Sequence, residues 1–387
     1  MLHALGSNSD AQLGVGHAAD LDELAPCRAA DAPMPPDGWH VADVASSSTS
    51  TLVWCVRGDE HRLYAAGEFG APWGARGTFA AVPSAPLCAA AHAASCVVRH
   101  IAAAWDCFYV VLVRPDTDVL LALGTSDAFG QLGTPRAGAW VHCIEICARA
   151  PLWPSAGALP DGGLRVAALA AGVRHALAHV TTPTHAALVG WGDARHGQLG
   201  VPLPPAVRGA GGLRRVVRRP SVLYTWEGAP CVRLALGLQH TAVCVGGAPA
   251  TLWLWGSNRC GQTDVGALAA ALGGACVEAP AGMRGVRAEA VRGVACCWHT
   301  TLVLTAAGRV VSVGSDAHGQ RRAPSAATCG AVLCAGSEHA LLVDGGEVWA
   351  WGWNEHGNVG RGGECMPPTR VARAARAWAG YGTTYVA

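Results

Sequence analysis

The feature that most constrains the fold is an internal repeat that runs through the whole chain. A Gly-centred motif occurs seven times, and two clear copies read GWGDARHGQLG from Gly190 and AWGWNEHGNVG from Ala350. The repeat unit is roughly 57 residues long with a shortened sixth unit, a period that predicts a solenoid or a propeller. The first glycines of the seven copies are Gly6, Gly67, Gly124, Gly192, Gly256, Gly314 and Gly352.

A second motif alternates strictly with the first, and its clear copies end in a histidine followed by an apolar strand. These copies read AGVRHALAHV from Ala171, LGLQHTAVCV from Leu236, ACCWHTTLVL from Ala295 and AGSEHALLV from Ala335, and degenerate copies begin at Ala45, Ala102 and Ala379. The alignment gives one repeated position to His175, His240, His299 and His339. Because a repeated buried histidine usually hydrogen-bonds the backbone of its own unit, we predict a structural role for these histidines and for the motif glycines.

Two hairpins per unit give four short strands, which make one propeller blade. The repeat therefore predicts an all-β, seven-bladed β-propeller with four-stranded antiparallel blades, forming a single domain over residues 1–387. The chain ends on half a unit, Ala379 to Ala387, and begins on the complementary half, Leu2 to Gly16. We expect the N- and C-terminal strands to pair and close the ring, because an open ring would leave a free strand edge. The stretches Ala80 to Ser95 and Val201 to Gly212 are predicted to be outer loops.

Composition narrows the function classes. Hydrophobic residues make up 51% of the chain and charged residues 14%, and the net charge of +1 is too balanced for a nucleic-acid-binding surface. No apolar stretch is long enough to span a membrane, and no signal peptide precedes the first repeat. The sixteen cysteines include no Cys-x-x-Cys pair, so we expect reduced thiols and a cytoplasmic protein, with the nucleus as a second compartment.

The repeat leaves no residue set for catalysis, so we predict that the chain is not an enzyme. No Gly-x-Ser-x-Gly elbow is present, and no phosphate-binding loop with Gly-Lys-Ser is possible because every basic residue is arginine. What the repeat leaves free is the pair of variable positions before the motif histidine, which should ring one face of the propeller. Aromatic and arginine side chains there have the composition of a binding hot spot, although local packing is the alternative. The second of the two variable positions is aligned at Ser48, Trp105, Arg174, Gln239, Trp298, Glu338 and Gly382, and Tyr381 stands at the first position of the last copy. The predicted partner-binding residues are Trp105, Arg174, Gln239, Trp298, Glu338 and Tyr381.

These motifs resemble the regulator-of-chromosome-condensation repeat, in which Trp-Gly-x-Asn-x-x-Gly-Gln-Leu-Gly alternates with Ala-Gly-x-x-His-Thr. The resemblance covers Leu2 to Ala387 and implies a seven-bladed propeller, but no single function, because such propellers serve as exchange factors, scaffolds and regulators. The opening HALGSNSDAQLGVGHAADLDELAPC is similar to a narrower group, the fungal alpha-tubulin suppressors, which are also known for killer-toxin insensitivity.

The narrower resemblance implies a non-enzymatic regulatory scaffold that binds a small Cys-rich zinc or iron protein of diphthamide synthesis as a heterodimer. The pair would also support Elongator-dependent modification of the tRNA wobble uridine. On this interpretation the partner carries any metal, the propeller needs no cofactor, and neither direct nucleic-acid contact nor membrane contact is expected.

Two alternatives remain open. The first is a guanine nucleotide exchange factor for a Ran-like GTPase, and the second is a general adaptor for cytoskeleton or ubiquitin machinery. Against exchange, no basic tail or nucleotide-displacing wedge is apparent in the sequence. The alignment also gives Arg174, Gln239 and Trp298 where the exchange factor has an acidic residue, leaving Glu338 as the acid at that position.

Overall fold

The computed structural model describes residues 1–69, 77–134, 140–146, 163–200, 207–209, 212–279, 283–288, 291–325, 327–328 and 330–387. In chain order the first strands are β1 (His3–Gly6), β2 (Leu21–Pro26), β3 (Arg28–Ala29), β4 (Ala32–Pro33), β5 (His40–Ser46), β6 (Ser50–Arg57), β7 (Glu60–Gly67) and β8 (Ala80–Ala81). Helix α1 (Ser84–Ala91) is followed by β9 (Val98–Ala103), β10 (Phe108–Val113), β11 (Asp118–Leu123), β12 (Val141–Ile144), β13 (Arg165–Ala171), β14 (His175–Thr181) and β15 (His185–Asp193).

The second half contains a longer outer strand and a second short helix. Its strands before that helix are β16 (Val207–Gly209), β17 (Gly212–Arg214), β18 (Val216–Glu227), β19 (Val232–Leu236), β20 (His240–Gly246) and β21 (Ala250–Gly256). After α2 (Val265–Leu272) come β22 (Ala275–Ala279), β23 (Met283–Ala288), β24 (Val291–Cys296), β25 (Thr300–Thr305), β26 (Val310–Gly314), β27 (Val332–Ala335), β28 (His339–Asp344), β29 (Glu347–Trp353), β30 (Cys365–Arg373), β31 (Ala377–Ala379) and β32 (Thr383–Val386).

Seven antiparallel sheets form the blades of a propeller, as the repeat predicts. From the innermost strand outward they are β5-β6-β7-β8 (blade 1), β9-β10-β11-β12 (blade 2), β13-β14-β15-β18 (blade 3), β19-β20-β21-β23-β22 (blade 4), β24-β25-β26 (blade 5), β27-β28-β29-β30 (blade 6) and β31-β32-β1-β2 (blade 7). The innermost strands of successive blades pack against one another around the circle. Both ends of the chain lie in blade 7, where β1 pairs with β32 through His3↔Val386 and Ala4↔Tyr385.

Blades 4 and 5 depart from the predicted four strands. Blade 4 gains an outer strand, and blade 5 has three strands because the described residues between Gly314 and Val332 contain no strand. The missing outer strand accounts for the shortened sixth unit of the repeat. The stretch Ala80 to Ser95, predicted as a loop, instead contains β8 and α1, whereas most of Val201 to Gly212 lies outside the described residues.

The second strand of each blade has an almost continuous apolar sequence because both of its sides are covered by neighbouring blades. Strand β14 is buried at six of its seven positions and β25 at five of six, and indole rings such as Trp191 and Trp351 fill the spaces between blades with no solvent exposure. In the part of the chain that the structure describes, neither helix has the length and apolarity needed to cross a bilayer. The core therefore lies between blades, and the strand-connecting turns are displayed on two opposite faces.

Candidate binding face

Both sequence motifs lie on the same face of the propeller, which we call the upper face. The residue after the motif glycine donates its N–H to the carbonyl of the second variable residue in the same blade. Asp193 N–H donates to Arg174 O at 2.8 Å, and Ser257 N–H donates to Gln239 O at 2.8 Å. The glycine is needed for this approach: Gly192 has φ +104°, and a Cβ there would lie 2.4 Å from Arg174 O.

The turn between the first two strands of each blade, which we call the inner turn, corrects the sequence alignment in blades 1, 2 and 5. Its first residue donates to the carbonyl three residues later, as Gly172 N–H does to His175 O and Gly237 N–H does to His240 O. In blades 1, 2 and 5 the matching bonds join Ser47 to Ser50, Ala104 to Cys107 and Cys297 to Thr300. The prediction that Ser48, Trp105 and Trp298 are second variable residues is therefore wrong by one position. The first variable residues are Ser48, Trp105, Val173, Leu238, Trp298, Ser337 and Tyr381, and the second are Thr49, Asp106, Arg174, Gln239, His299, Glu338 and Gly382.

The corrected register changes the interpretation of His299. Thr300, not His299, takes the place of the structural histidine in blade 5, and the His299 side chain is 35% exposed on the upper face. Its Nδ1 lies 2.7 Å from Oε1 of Glu338, whose Oε2 accepts a hydrogen bond from Gln320 Nε2 at 2.6 Å. His299 and Glu338 therefore form a polar pair between blades 5 and 6, with the carboxylate largely covered.

The other three motif histidines join blades together. The imidazole Nε2 of His175 lies 2.9 Å from Thr241 Oγ1 of the next blade, and that hydroxyl donates to Gln198 O at 2.8 Å. Because the hydroxyl proton is used on the carbonyl, Nε2 must be the donor to Thr241. His240 and His339 repeat this arrangement with Thr301 and Thr384. The sequence predicted a bond from each histidine to the backbone of its own blade, whereas the observed partner is a threonine hydroxyl of the next blade.

Three aromatic side chains meet at the centre of the upper face, and we call them the aromatic cap: Trp105, Trp298 and Tyr381. The ring centroids are 6.0 Å apart for the two tryptophans, 5.4 Å for Trp105 and Tyr381, and 6.1 Å for Trp298 and Tyr381. Backbone bonds between neighbouring inner turns, such as Trp105 N–H to Val173 O at 3.0 Å, hold the cap in place. A cavity of about 100 Å³, lined by small residues such as Gly172 and Gly336, lies in the central channel beneath it.

The three side chains of the aromatic cap differ in their exposure to solvent. Trp105 is 37% exposed, one of the most exposed large apolar side chains in the described chain, whereas Trp298 and Tyr381 are half-buried. The indole Nε1 of Trp298 is buried and has no hydrogen-bond partner among the described residues. An exposed indole supported by two further aromatic rings offers a rigid apolar surface to a partner.

Polar side chains surround the cap. The guanidinium carbon of Arg174 lies 3.8 Å from the Phe129 ring centroid, so this side chain is held flat on the face by a cation–π contact. Gln239 is half-buried, and exposed Asp106 accepts hydrogen bonds from Gln131 Nε2 at 3.1 Å. Sequence reasoning missed Asp106 and His299 as members of this ring. The sequence offers no anchor for them, because Cys107 and Thr300 stand where the clear copies of the motif have a histidine.

In the part of the chain that the structure describes, the cysteine side chains and the possible metal ligands form no second candidate site. Each cysteine in the described ranges is a free thiol, and burial raises the pKa of several of them, that of Cys55 to about 12. Within those same ranges, no group of three or more His, Cys, Asp or Glu side chains is arranged to hold a metal ion.

The comparisons with known proteins agree with this architecture. No protein-family model matches the chain. A bovine (Bos taurus) secretion-regulating guanine nucleotide exchange factor is 28% identical over 306 residues, which cover 70% of this chain and 58% of the relative. The relatives are proteins of the regulator-of-chromosome-condensation repeat, and this chain shares their seven-bladed propeller fold. It therefore spans less than two thirds of the bovine relative, whose further length this propeller does not match.

Two solved structures match this repeat propeller across its whole length. Human WBSCR16 superposes with a TM-score of 0.66 at 16% identity, covering 100% of this chain and 99% of that one. Prp20p from Saccharomyces cerevisiae superposes with a TM-score of 0.67 at 18% identity, covering 100% and 90%. At these identities the likeness shows the shared fold.

Proposed function

We propose that this repeat propeller is a non-enzymatic regulatory scaffold that docks a protein partner on its upper face, centred on the aromatic cap. The observation that carries the proposal is the exposed Trp105 ring, packed against Trp298 and Tyr381 at positions that the repeat leaves variable. Rigid aromatic residues at the centre of a surface are typical of interface hot spots. Arg174 and Gln239 border the cap and are expected to lie within the footprint, whereas Glu338 is covered by His299 and Gln320 and would act by positioning His299.

The partner we propose is a small Cys-rich zinc or iron protein of diphthamide synthesis, bound as a heterodimer. The support is the resemblance of the opening segment Leu2 to Gly16 and its continuation to the fungal alpha-tubulin suppressors. The pair would act in Elongator-dependent tRNA wobble-uridine modification and in diphthamide formation, in the cytoplasm with the nucleus as a second compartment. The metal would belong to the partner, and the propeller would contribute the docking surface.

Trp105→Ala is expected to weaken binding of the purified small metal protein by about 2 kcal/mol or more, roughly thirtyfold in Kd, while shifting Tm by little. Isothermal titration calorimetry measures the first quantity and thermal denaturation the second. Trp226→Ala is the matched control, because Trp226 is a half-buried indole near the opposite end of blade 3. Unchanged binding together with a large fall in Tm would assign Trp105 to local packing and contradict the proposal.

A second candidate is guanine nucleotide exchange on a Ran-like GTPase, favoured by the name of the bovine relative and by the corrected register. The second variable position carries Asp106 as well as Glu338, so the sequence argument against exchange is weaker than the alignment indicated. Asp106 is exposed and available to a partner, whereas Glu338 is not.

Exchange activity is tested by release of a fluorescent GDP analogue from a purified Ran-like GTPase. If the propeller is a scaffold alone, release with stoichiometric propeller stays within twofold of the spontaneous rate, and Asp106→Asn changes nothing. An acceleration of tenfold or more that Asp106→Asn abolishes would replace the scaffold proposal with the exchange function.

A further inference from the structure

Most charged side chains on the upper face are sorted by sign around the propeller axis, although exposed Asp264 lies beside the basic side chains of blade 4. The loops of blades 3 to 5 carry arginines, and several have no acidic partner. Arg215 joins this face because Ala194 N–H donates to its carbonyl, and Arg218 joins it through its contact with the blade 2 residue Asp127. This basic arc consists of Arg174, Arg195, Arg215, Arg218, Arg259, Arg321 and Arg322.

Local ion pairs neutralise part of the basic arc and leave the rest free. Arg195 pairs with Asp193 at 2.9 Å and Arg218 pairs with Asp127, while Arg322 and Asp316 are 4.0 Å apart. In the described part of the chain no carboxylate pairs with the four remaining arginines, which are Arg174, Arg215, Arg259 and Arg321. All of them are exposed except Arg174, which is half-buried.

The opposite side of the same face is acidic. The upper loops of blades 6, 7 and 1 and the adjoining strand β2 carry an acidic arc of Asp10, Asp20, Asp22, Glu23, Glu68, Glu355 and Glu364. Arg361 offsets part of it, since its guanidinium lies 3.7 Å from Asp22 and 3.1 Å from Glu23. His356 Nδ1 lies 2.7 Å from Asp20. Although the net charge of the chain is near zero, its upper face therefore has a positive side and a negative side.

We propose that this face selects a protein partner with the complementary bipolar surface, an acidic patch over the basic arc and a basic patch over the acidic arc. The inference rests on the proposed docking function and adds the orientation of the partner about the propeller axis. The aromatic cap supplies most of the binding free energy at the centre of the face. The two arcs speed association with a correctly oriented partner. They disfavour a partner rotated about the propeller axis, because like charges would then face each other. A nucleic acid fits less well, because a polyanion extending across the face would meet the acidic arc.

The test uses a fluorescent ten-residue polyglutamate peptide at about 20 mM salt, where screening between exposed charges is weak. Reversing two exposed basic-arc charges, R259E/R321E, is expected to weaken its binding about fivefold or more by fluorescence anisotropy. The matched control R287E/R292E changes two exposed arginines at the lower ends of blades 4 and 5 and should leave binding within twofold. A polyarginine peptide should respond oppositely, losing affinity with D22R/E355R and not with D59R/E227R, which alters the lower face and rim.

Each outcome bears on the proposal. Equal effects of the upper-face and control pairs, or no binding of either peptide to the wild-type propeller, would overturn it. Binding of a single-stranded ten-nucleotide RNA that is tighter than polyglutamate and sensitive to R259E/R321E would reassign the basic arc to nucleic acid. Failure of the docking function, measured with the metal protein, is distinguishable from failure of the charge arrangement.

Discussion

Deletion of Ala379–Ala387 is expected to unfold the whole propeller and not merely to loosen one end of it. These residues include β32, which lies between β31 and β1 in blade 7. Its Tyr385 is fully buried, donates to Gln12 O at 2.9 Å and lies 2.8 Å from Thr51 Oγ1 in blade 1. The deletion removes this interblade link, two β-ladders and a large buried side chain together. The combined loss should exceed the roughly 5–15 kcal/mol that keeps an ordinary domain folded.

The deletion is measured by circular dichroism melting and by hydrogen exchange with mass spectrometry. Two further variants provide reference values for the loss of stability. Tyr385→Phe keeps the packing and removes the hydroxyl, so it should cost about 1–3 kcal/mol. A three-glycine insertion between Gly345 and Gly346, at an open hairpin tip, should cost little. A truncated chain that still melts cooperatively, with faster exchange confined to blade 7, would show that the pairing of β1 with β32 does not hold the ring together.

The propeller fold was predictable from sequence because its packing requires the repeated residues. Each motif glycine must let one turn approach another, and each Trp or apolar strand must fill the space between blades, so the requirement recurs at a fixed period. The register of the inner turns was less predictable in blades 1, 2 and 5. There Ser50, Cys107 and Thr300 replace the structural histidine, and in blade 5 the neighbouring His299 was aligned in its place.

The composition of the candidate site was partly predictable, but its geometry was not. Trp105, Trp298 and Tyr381 are about 80 residues or more apart in sequence, and their contact depends on how blades 2, 5 and 7 close around one axis. The separation of charges into two arcs has the same origin. The net charge of the chain does not show which blades carry positive side chains and which carry negative ones. The near-neutral composition therefore did not reveal the two arcs.

The buried motif histidines lead to the second large effect, a loss of stability in mild acid. Burial lowers the pKa of His175 and His240 to about 3 and that of His339 to about 4, from 6.5 in the unfolded chain. Between these values the unfolded chain binds more protons than the folded one, so the free energy of unfolding is highest above pH 6.5 and falls as the pH drops. Each histidine lowers the free energy of unfolding by about 1.4 kcal/mol per pH unit, so the three together lower it by about 6 kcal/mol between pH 7 and pH 5.

The carboxyl group of Asp43 has the opposite effect on stability in acid. Burial raises the pKa of Asp43 to about 6, against the opposing effects of its bonds to the Val44 amide and Trp378 indole and of Arg376 nearby. The folded state therefore binds a proton at Asp43 on acidification, and this raises the free energy of unfolding by about 1.4 kcal/mol by pH 5. The three motif histidines and Asp43 together account for a loss of about 4–5 kcal/mol, a large share of the stability of an ordinary domain. Burial also lowers the pKa of His179 to about 4, so this histidine adds to the loss.

Urea denaturation at pH 7.5 and pH 5.0 measures this loss. His240→Gln removes one of the three titrations, so the difference in unfolding free energy between the two pH values should shrink by about 2 kcal/mol, whatever the variant's stability at pH 7.5. His40→Gln is the control for replacing a histidine outside the motif, since His40 is exposed at the start of β5. An identical pH difference in wild type and His240→Gln would contradict the prediction. The interblade bond from His240 to Thr301 would then tolerate a protonated imidazole.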